Sequence, residues 1–214
     1  MTVPNAKYLI DLKGLDPVTA APYACSGVTT YSALKKVDLS TPIVVFGAGG
    51  LGLMLLSLLK AMGGKGAIVV DIDARKREAA EAAGALATVD GKAPDALEQL
   101  QKKAGGPIRA VIDLVGSAQT TQLGFDCLAK GGKLVIVGLF GGGATFPLPL
   151  IPIKAVTTQG SSVGTPRETR ELLARVRRKN IPPIPVTKLP LAKANDALLD
   201  LQKGKLVGRA VLTP

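Results

Sequence analysis

IVVFGAGGLGLMLLSLLKAMGGKGAIVVD, residues 43–71, decides the fold class of this 214-residue chain. A β-branched run at 43–46 predicts a buried strand, followed by a glycine-rich turn at 47–52 and an apolar helix over 53–62. A second β-branched run at 67–70 ends on an acid, about 20 residues beyond the last glycine of the turn. This order of strand, turn, helix, strand and acid is typical of a dinucleotide-binding unit.

Three glycines of the turn meet separate steric requirements. Gly47 permits the tight turn, Gly49 lets a pyrophosphate approach the backbone, and Gly52 lets the helix pack closely on the strand. The free N–H groups at the start of the helix then face the phosphates, assisted by the helix dipole. The predicted cofactor-binding residues of this turn are Gly47, Gly49, Gly50, Leu51 and Gly52. The alternative is a glycine turn in another α/β domain, such as a methyltransferase.

Asp71 stands where an acid would accept hydrogen bonds from the ribose of an adenosine. A carboxylate repels a 2′-phosphate and binds a 2′-hydroxyl, so the sequence favours NAD over NADP. Arg75, Lys76 and Arg77 complicate this preference, because a nearby arginine can accommodate that phosphate. They equally fit the exposed face of the helix that follows.

The rest of the chain continues the alternation of strands and helices. Predicted strands lie at 88–89, 109–115, 133–137 and 156–163, and predicted helices at 73–83, 93–103, 120–128 and 165–178. The pattern predicts an α/β fold with a doubly wound, mostly parallel sheet of the Rossmann type. We expect a lead-in segment over 1–36, with a short strand and turn at 5–15 and helices from 17 and at 29–36. A dinucleotide-binding domain over 37–180 and a strand–helix–strand tail over 181–214 should follow.

Residues Ala144–Ile153 break this rhythm with three prolines among apolar side chains. Proline cannot donate to a central ladder, so we expect an edge or an extended arm. An apolar arm exposed in a monomer predicts a homodimer contact. The alternative is a loop packed on its own domain.

Composition excludes several classes of function. The net charge is +11, but the 27 basic residues are spread along the chain without interleaved aromatics, which argues against nucleic-acid binding. The chain has no histidine, which excludes a Ser-His-Asp catalytic triad and histidine-rich metal sites within it. Its two cysteines are far apart and predict no disulfide framework, as in a reducing compartment. With no signal-peptide pattern and no long apolar span, we expect a cytoplasmic protein without a membrane segment.

Several segments together resemble the cofactor-binding half of the medium-chain, zinc-dependent alcohol dehydrogenases. The matching pieces occur in the family's order and cover nearly the whole chain: residues 24–31 (ACSGVTTY), 44–73, 113–116 (DLVG), 132–138 (GKLVIVG) and 208–212 (GRAVL).

The resemblance implies roles for individual residues. It places Thr29, Leu51, Val137 and Ser161 beside the nicotinamide. Arg209 would reach the pyrophosphate, a role that suits a bidentate guanidinium, unless it is a surface arginine on a terminal strand. Further candidates follow predicted strands at the carboxyl ends, where open sheets bind ligands: Leu114, Val115, Gly116, Val137, Gly138 and Leu139.

Cys25 matches the third zinc ligand of the family. A zinc site needs three or four converging ligands, and this chain offers neither a histidine nor a neighbouring cysteine. We therefore expect no catalytic zinc unless a partner domain supplies the other ligands. Otherwise Cys25 is a small residue of a helix or turn, and Cys127 is expected in the core.

Family members carry an N-terminal catalytic domain of about 150 residues, the size of a small domain. The chain is expected to be an isolated cofactor domain whose terminal segments would join that domain, supplied in trans. Alone, it should bind NAD(H) and be catalytically incomplete. Two alternatives are a non-catalytic NAD-binding or dimerisation module and a zinc-free, quinone-reductase-like enzyme; Cys25 argues against the second.

Overall fold

A computed structural model describes residues 3–179, 181 and 183–214, with only the backbone of residue 179. Residues 1 and 2 of the lead-in segment, the predicted domain boundary at 180 and residue 182 lie outside this description. The strands are β1 (Ile43–Phe46), β2 (Ala67–Asp71), β3 (Ala87–Asp90), β4 (Ala110–Asp113), β5 (Lys133–Ile136), β6 (Thr157–Gly160), β7 (Val186–Pro190) and β8 (Arg209–Thr213). The helices are α1 (Pro17–Ala20), α2 (Ser26–Leu34), α3 (Gly50–Ala61), α4 (Ala74–Ala82), α5 (Ala96–Ala104), α6 (Ala118–Cys127), α7 (Leu150–Lys154), α8 (Pro166–Lys179) and α9 (Ala194–Gln202).

The described part of the chain forms a six-stranded parallel sheet in the order β3-β2-β1-β4-β5-β6. β1 pairs with β2 on one side and with β4 on the other, so the strand order reverses between β1 and β4. This arrangement is the doubly wound Rossmann-like fold, which confirms the predicted fold class. The carboxyl ends of β1 and β4 consequently flank a switch point, where such sheets bind ligands.

Two apolar layers cover the two faces of the sheet. Along β1, Ile43 and Val45 face one cluster, which takes in the leucines of α3, while Val44 and Phe46 face the other, which contains Phe125 of α6. Side chains alternate in this way because the strand period is two residues. Burying each large aliphatic side chain contributes about 1.5–3 kcal/mol. The parallel sheet is therefore covered on both faces, as its continuous β-branched runs require.

The tail forms a separate two-stranded parallel sheet of β7 and β8, in the register Val186↔Arg209. α9 lies between the two strands in sequence. The expected strand–helix–strand tail is thus present, while its status as a separate domain stays a prediction.

The prediction of a short strand at 5–15 is wrong. Residues Ala6–Tyr8 form a 3-10 turn capped by the Asn5 side chain, and arginines of α8 hold this segment. Arg170 donates to the carbonyl oxygen of Lys7, and Arg177 donates to that of Leu12. Side-chain donors from a helix therefore replace a strand partner.

The arm at Ala144–Ile153 has two parts. Phe146 stacks on Phe125 with ring centroids 4.2 Å apart, so this portion packs on its own domain. The rest of the arm forms most of α7, a short helix that we did not predict because of the prolines. Three large apolar side chains nevertheless remain exposed, Leu148, Ile151 and Ile153.

Within the described residues, every helix is too short or too polar to cross a lipid bilayer.

Candidate functional site

The turn between β1 and α3 is built from glycines. Gly47 has φ of 98°, a conformation that favours glycine, and its N–H donates to the carbonyl oxygen of Val70 at 2.8 Å. A Cβ on Gly52 would collide with the carbonyl oxygen of Gly47, so only glycine allows α3 to approach the turn. Around Gly49 there is open space, with no described atom other than its chain neighbours within 4 Å of the position of a Cβ. Since no described side chain caps α3, its first N–H groups are available to an anion.

Asp71 ties the tip of β2 to this turn. Its Oδ2 accepts a hydrogen bond of 2.8 Å from the N–H of Ala48, and its Oδ1 accepts one of 2.9 Å from the N–H of Asp73. Each carboxylate oxygen retains acceptor capacity beyond these bonds. The carboxylate is therefore fixed by the backbone while it lines the adjacent cleft.

The basic residues that follow Asp71 are largely paired. Arg75 Nη2 lies 3.0 Å from Asp73 Oδ2, and this side-chain hydrogen bond lowers the pKa of Asp73 and raises the pKa of Arg75. Arg77 donates to the carbonyl oxygen of Asp71 at 2.8 Å and lies 3.4 Å from Asp90 Oδ2. Both guanidinium groups near Asp71 thus already have carboxylate partners.

A cleft of about 500 Å³ lies at the carboxyl ends of β1, β2, β3 and β4. Its apolar lining comes from Phe46, Val70, Ile72, Val115, Leu123 and Phe140. Its polar lining comes from Asp71, Lys92, Ser117, Gln119 and Thr120. The hydroxyls of Ser117 and Thr120 are already engaged in the capping box of α6. The cleft is thus mostly apolar with few polar groups, which suits a flat organic ligand.

Asp113, at the end of β4, is a residue whose importance sequence reasoning missed. Its carboxylate is fully buried. Oδ1 accepts from the N–H groups of Val115 and Gly116, both at 2.9 Å, and Oδ2 accepts from the hydroxyls of Thr120 at 3.0 Å and Thr121 at 2.8 Å. The available signal was an acid closing an apolar run and followed seven and eight residues later by threonines.

The predicted residues at the ends of β4 and β5 are brought together. The N–H groups of Val137 and Gly138 both donate to the carbonyl oxygen of Asp113, at 2.8 and 3.0 Å. A Cβ on Gly116 would collide with the carbonyl oxygen of Gly138, so the two strand ends touch. Leu114 is buried, whereas Leu139, the residue after Gly138, is 97% exposed.

Thr29 and Ser161 are both buried, and neither lines the cleft. Thr29 lies in the first turn of α2, where its N–H donates to the carbonyl oxygen of Cys25. The N–H of Ser161 donates to the carbonyl oxygen of Ile136, but its buried Oγ has no partner among the described residues. Leu51 is half-buried in the first turn of α3. Buried hydroxyls normally find a partner, so the Ser161 hydroxyl suits an additional ligand.

Arg209, on β8, reaches the glycine turn from the tail. A Cβ on Gly50 would lie 2.7 Å from Arg209 Nε and 2.5 Å from the carbonyl oxygen of Gly208. The N–H of Arg209 donates to the carbonyl oxygen of Pro185 at 3.0 Å, which fixes this end of β8. The structure therefore places a guanidinium beside the N-terminus of α3.

The described residues contain no group of three or more His, Cys, Asp or Glu side chains able to hold a metal ion. Cys25 is exposed and precedes α2. These residues alone do not fit a zinc site. Cys127 is buried as expected, and burial raises the pKa of its thiol to about 12.

A sequence model described as zinc-binding dehydrogenase matches residues 50–178. The chain belongs to the zinc-binding dehydrogenase family. It is 39% identical over 216 aligned residues to an NAD-dependent alcohol dehydrogenase of Sulfurisphaera tokodaii, and 36% identical to one of Saccharolobus solfataricus. Each alignment covers 99% of this chain and 62% of the relative.

Solved structures of an alcohol dehydrogenase and of an acetophenone reductase share the fold. The alcohol dehydrogenase of Aeropyrum pernix superposes with a TM-score of 0.82 at 33% identity, covering 92% of this chain and 58% of that one. The acetophenone reductase of Geotrichum candidum, solved in complex with NAD, gives a TM-score of 0.83 at 25% identity, covering 96% and 58%. The zinc-binding dehydrogenase chain described here therefore spans about three fifths of the length of these relatives.

Proposed function

We propose that this chain is the NAD(H)-binding part of an alcohol dehydrogenase and presents the nicotinamide for hydride transfer with an alcohol or carbonyl substrate. The observation that carries the proposal is the Asp71 carboxylate, fixed by the N–H of Ala48 at 2.8 Å and lining a cleft at the switch point of the sheet. The NAD-dependent relatives support the same cofactor.

The adenosine half of NAD fits the apolar cleft. Asp71 would accept hydrogen bonds from the ribose hydroxyls with the acceptor capacity that its backbone bonds leave. The base would lie between apolar side chains such as Ile72 and Leu123. We propose NAD rather than NADP, because a carboxylate repels a 2′-phosphate and the guanidinium groups of Arg75 and Arg77 are engaged with aspartates.

The pyrophosphate would lie at the glycine turn. The open space beside Gly49 and the uncapped start of α3 suit an anion, and Arg209 beside Gly50 adds a cation with a forked set of donors. Gly47 and Gly52 hold the turn in the shape that leaves this space.

The nicotinamide would extend toward the ends of β4, β5 and β6. Candidate contacts there are Thr29, Leu51, Leu114, Val115, Gly116, Val137, Gly138, Leu139 and Ser161. The unpartnered hydroxyl of Ser161 supports this assignment, since a carboxamide could satisfy it. A nicotinamide held there would supply a hydride acceptor for alcohol oxidation in its oxidised form, and a hydride donor for carbonyl reduction in its reduced form.

The described residues of this chain do not by themselves hold a zinc ion for the proposed reaction. Cys25 would become a ligand only if another polypeptide segment supplied the rest of a tetrahedral set. We therefore propose that catalysis needs a catalytic domain, which a second polypeptide would supply if this chain is a separate protein. The chain alone would bind cofactor without oxidising alcohols.

A homodimer through the Ala144–Ile153 arm is a second proposal. It rests on the exposure of Leu148 and Ile153 and on the edge position of β6 in the sheet. An exposed edge strand with neighbouring apolar side chains favours pairing with another chain.

Calorimetric titration of the chain with NAD and then NADP tests the proposed function. We expect saturable NAD binding and weaker NADP binding. Asp71→Ala should weaken NAD binding by about tenfold, the loss of a charge-assisted hydrogen bond. Glu98→Gln, on the outer helix α5, serves as the charge control and should leave NAD binding unchanged. A folded chain that binds neither cofactor would overturn the proposal.

A further inference from the structure

Arg77 joins the tips of two neighbouring strands. Its Nη1 donates to the carbonyl oxygen of Asp71 at 2.8 Å, and its Nη2 lies 3.4 Å from Asp90 Oδ2. Asp71 and Asp90 are register partners on β2 and β3. The planar guanidinium suits this bridge because its donors point along fixed directions. The Arg77 side chain is 19% exposed, against 41% for Asp90, so the cation is the more enclosed partner.

Asp90 also lies directly before two residues of the cleft lining. Gly91 and Lys92, which follow it, line the cleft together with Asp71. Asp90 Oδ1 accepts a hydrogen bond of 2.9 Å from the N–H of Lys92, which leaves Oδ2 for Arg77. One carboxylate therefore holds the backbone of Lys92, a residue of the cleft lining, and neutralises the guanidinium of Arg77.

A phosphate on the 2′-oxygen of adenosine would meet the tip of β2, where Asp71 presents its carboxylate. Arg77 is the guanidinium bonded to that strand tip. A guanidinium released from its carboxylate would offer forked donors to such a phosphate, whereas one held in an ion pair offers less charge and fewer free donors. The ion pair with Asp90 thus keeps Arg77 from binding the 2′-phosphate of NADP.

We propose that Asp90 is a positioning residue for cofactor discrimination and acts through Arg77. It holds and neutralises the guanidinium, so that a 2′-phosphate at the tip of β2 finds the donors of Arg77 already engaged. The inference rests on the proposed function, because it concerns the adenosine end of the same site.

The test is Asp90→Asn, with dissociation constants measured for NAD and NADP by titration. Asparagine keeps an oxygen for the N–H of Lys92 and replaces the carboxylate oxygen that faces Arg77 with an uncharged NH₂ group, which cannot hold the guanidinium. We expect the ratio of the NADP to the NAD dissociation constant to fall by about threefold to tenfold, since a partly exposed ion pair is of modest strength. NAD affinity should stay within about twofold.

The double variant Asp90→Asn/Arg77→Gln shows whether the effect passes through Arg77. We expect the ratio in the double variant to equal that in Arg77→Gln alone. Glu98→Gln removes an equal charge on α5 and should leave the ratio unchanged. A purely structural role of Asp90 would lower the melting temperature and move both dissociation constants together.

An unchanged ratio in Asp90→Asn would overturn the inference while leaving the proposed function in place. A fall that persists in the Arg77→Gln background, or that Glu98→Gln reproduces, would overturn it equally. Wild-type chain that binds neither cofactor would remove the proposed function and the inference with it.

Discussion

The hydroxyl of Thr121 donates a hydrogen bond of 2.8 Å to Oδ2 of Asp113, a carboxylate that is fully buried in the sheet. Three further donors, the Thr120 hydroxyl and the N–H groups of Val115 and Gly116, complete its shell. A buried carboxylate without such partners costs several kcal/mol, so this shell is needed for folding. Asp113 therefore fixes the turn after β4 that forms one wall of the cleft.

Replacing Asp113 should destabilise the fold strongly. Asp113→Ala leaves buried donors unsatisfied, and we expect the free energy of unfolding to fall by about 2–4 kcal/mol. Thr121→Val removes a single donor and should cost about 1 kcal/mol. Urea denaturation of the two variants measures both values. Equal losses in the two would contradict the role of Asp113 as the centre of this network.

Two glycines of the turn should respond differently to the same added methyl group. In Gly52→Ala the methyl collides with the carbonyl oxygen of Gly47, and we expect a loss of about 1–3 kcal/mol of unfolding free energy, as in other overpacked sites. Gly49 has φ of −72° and open space around it, so Gly49→Ala should fold normally and yet weaken NAD binding, because the methyl enters the proposed pyrophosphate site.

Thermal unfolding and NAD titration of both variants separate these effects. Gly106→Ala adds a methyl in open space on a distant loop and is the matched control. If Gly49→Ala bound NAD as tightly as the control, the pyrophosphate would have to lie elsewhere.

The glycine turn and Asp71 were predictable from sequence because their signal is local. A strand, a turn and an acid at fixed spacing specify both the backbone conformation and the side that meets a ligand. Asp113 gave no comparable signal, since its donors become neighbours only after the turn at β4 and the first turn of α6 have formed. Its burial depends on the assembled sheet.

Two local predictions failed or were incomplete for physical reasons. Residues 5–15 had a strand-like composition, but the arginine donors of α8 that fix them lie more than 150 positions away in sequence. In the arm, proline argued against a helix, yet Pro152 lies in the first turn of α7, where the missing N–H has no intrahelical partner to lose. Arg209, in contrast, was located by resemblance alone.

Arg209→Gln tests the link between the tail and the glycine turn. Because the guanidinium lies beside Gly50, its loss should weaken NAD and NADP by a similar factor, about tenfold for one charge-assisted contact, and leave their ratio unchanged. Lys188→Gln, a charge change on the neighbouring strand β7, should have little effect. A change confined to one cofactor would place Arg209 at the adenosine end instead.

Cys127 should make stability depend on pH above about 9. Burial raises the pKa of its thiol from 9.0 to about 12, so the folded chain keeps a proton that the unfolded chain releases. The stabilisation linked to this proton is complete below the unfolded pKa and is lost as the pH rises through the interval from 9.0 to about 12.

Cys127→Ala should flatten the decline of urea stability over this interval, although it costs some packing at every pH. The exposed thiol of Cys25 provides the control, because Cys25→Ala should leave the slope unchanged. Equal slopes in all three proteins would mean that other groups, such as lysines, account for the alkaline loss.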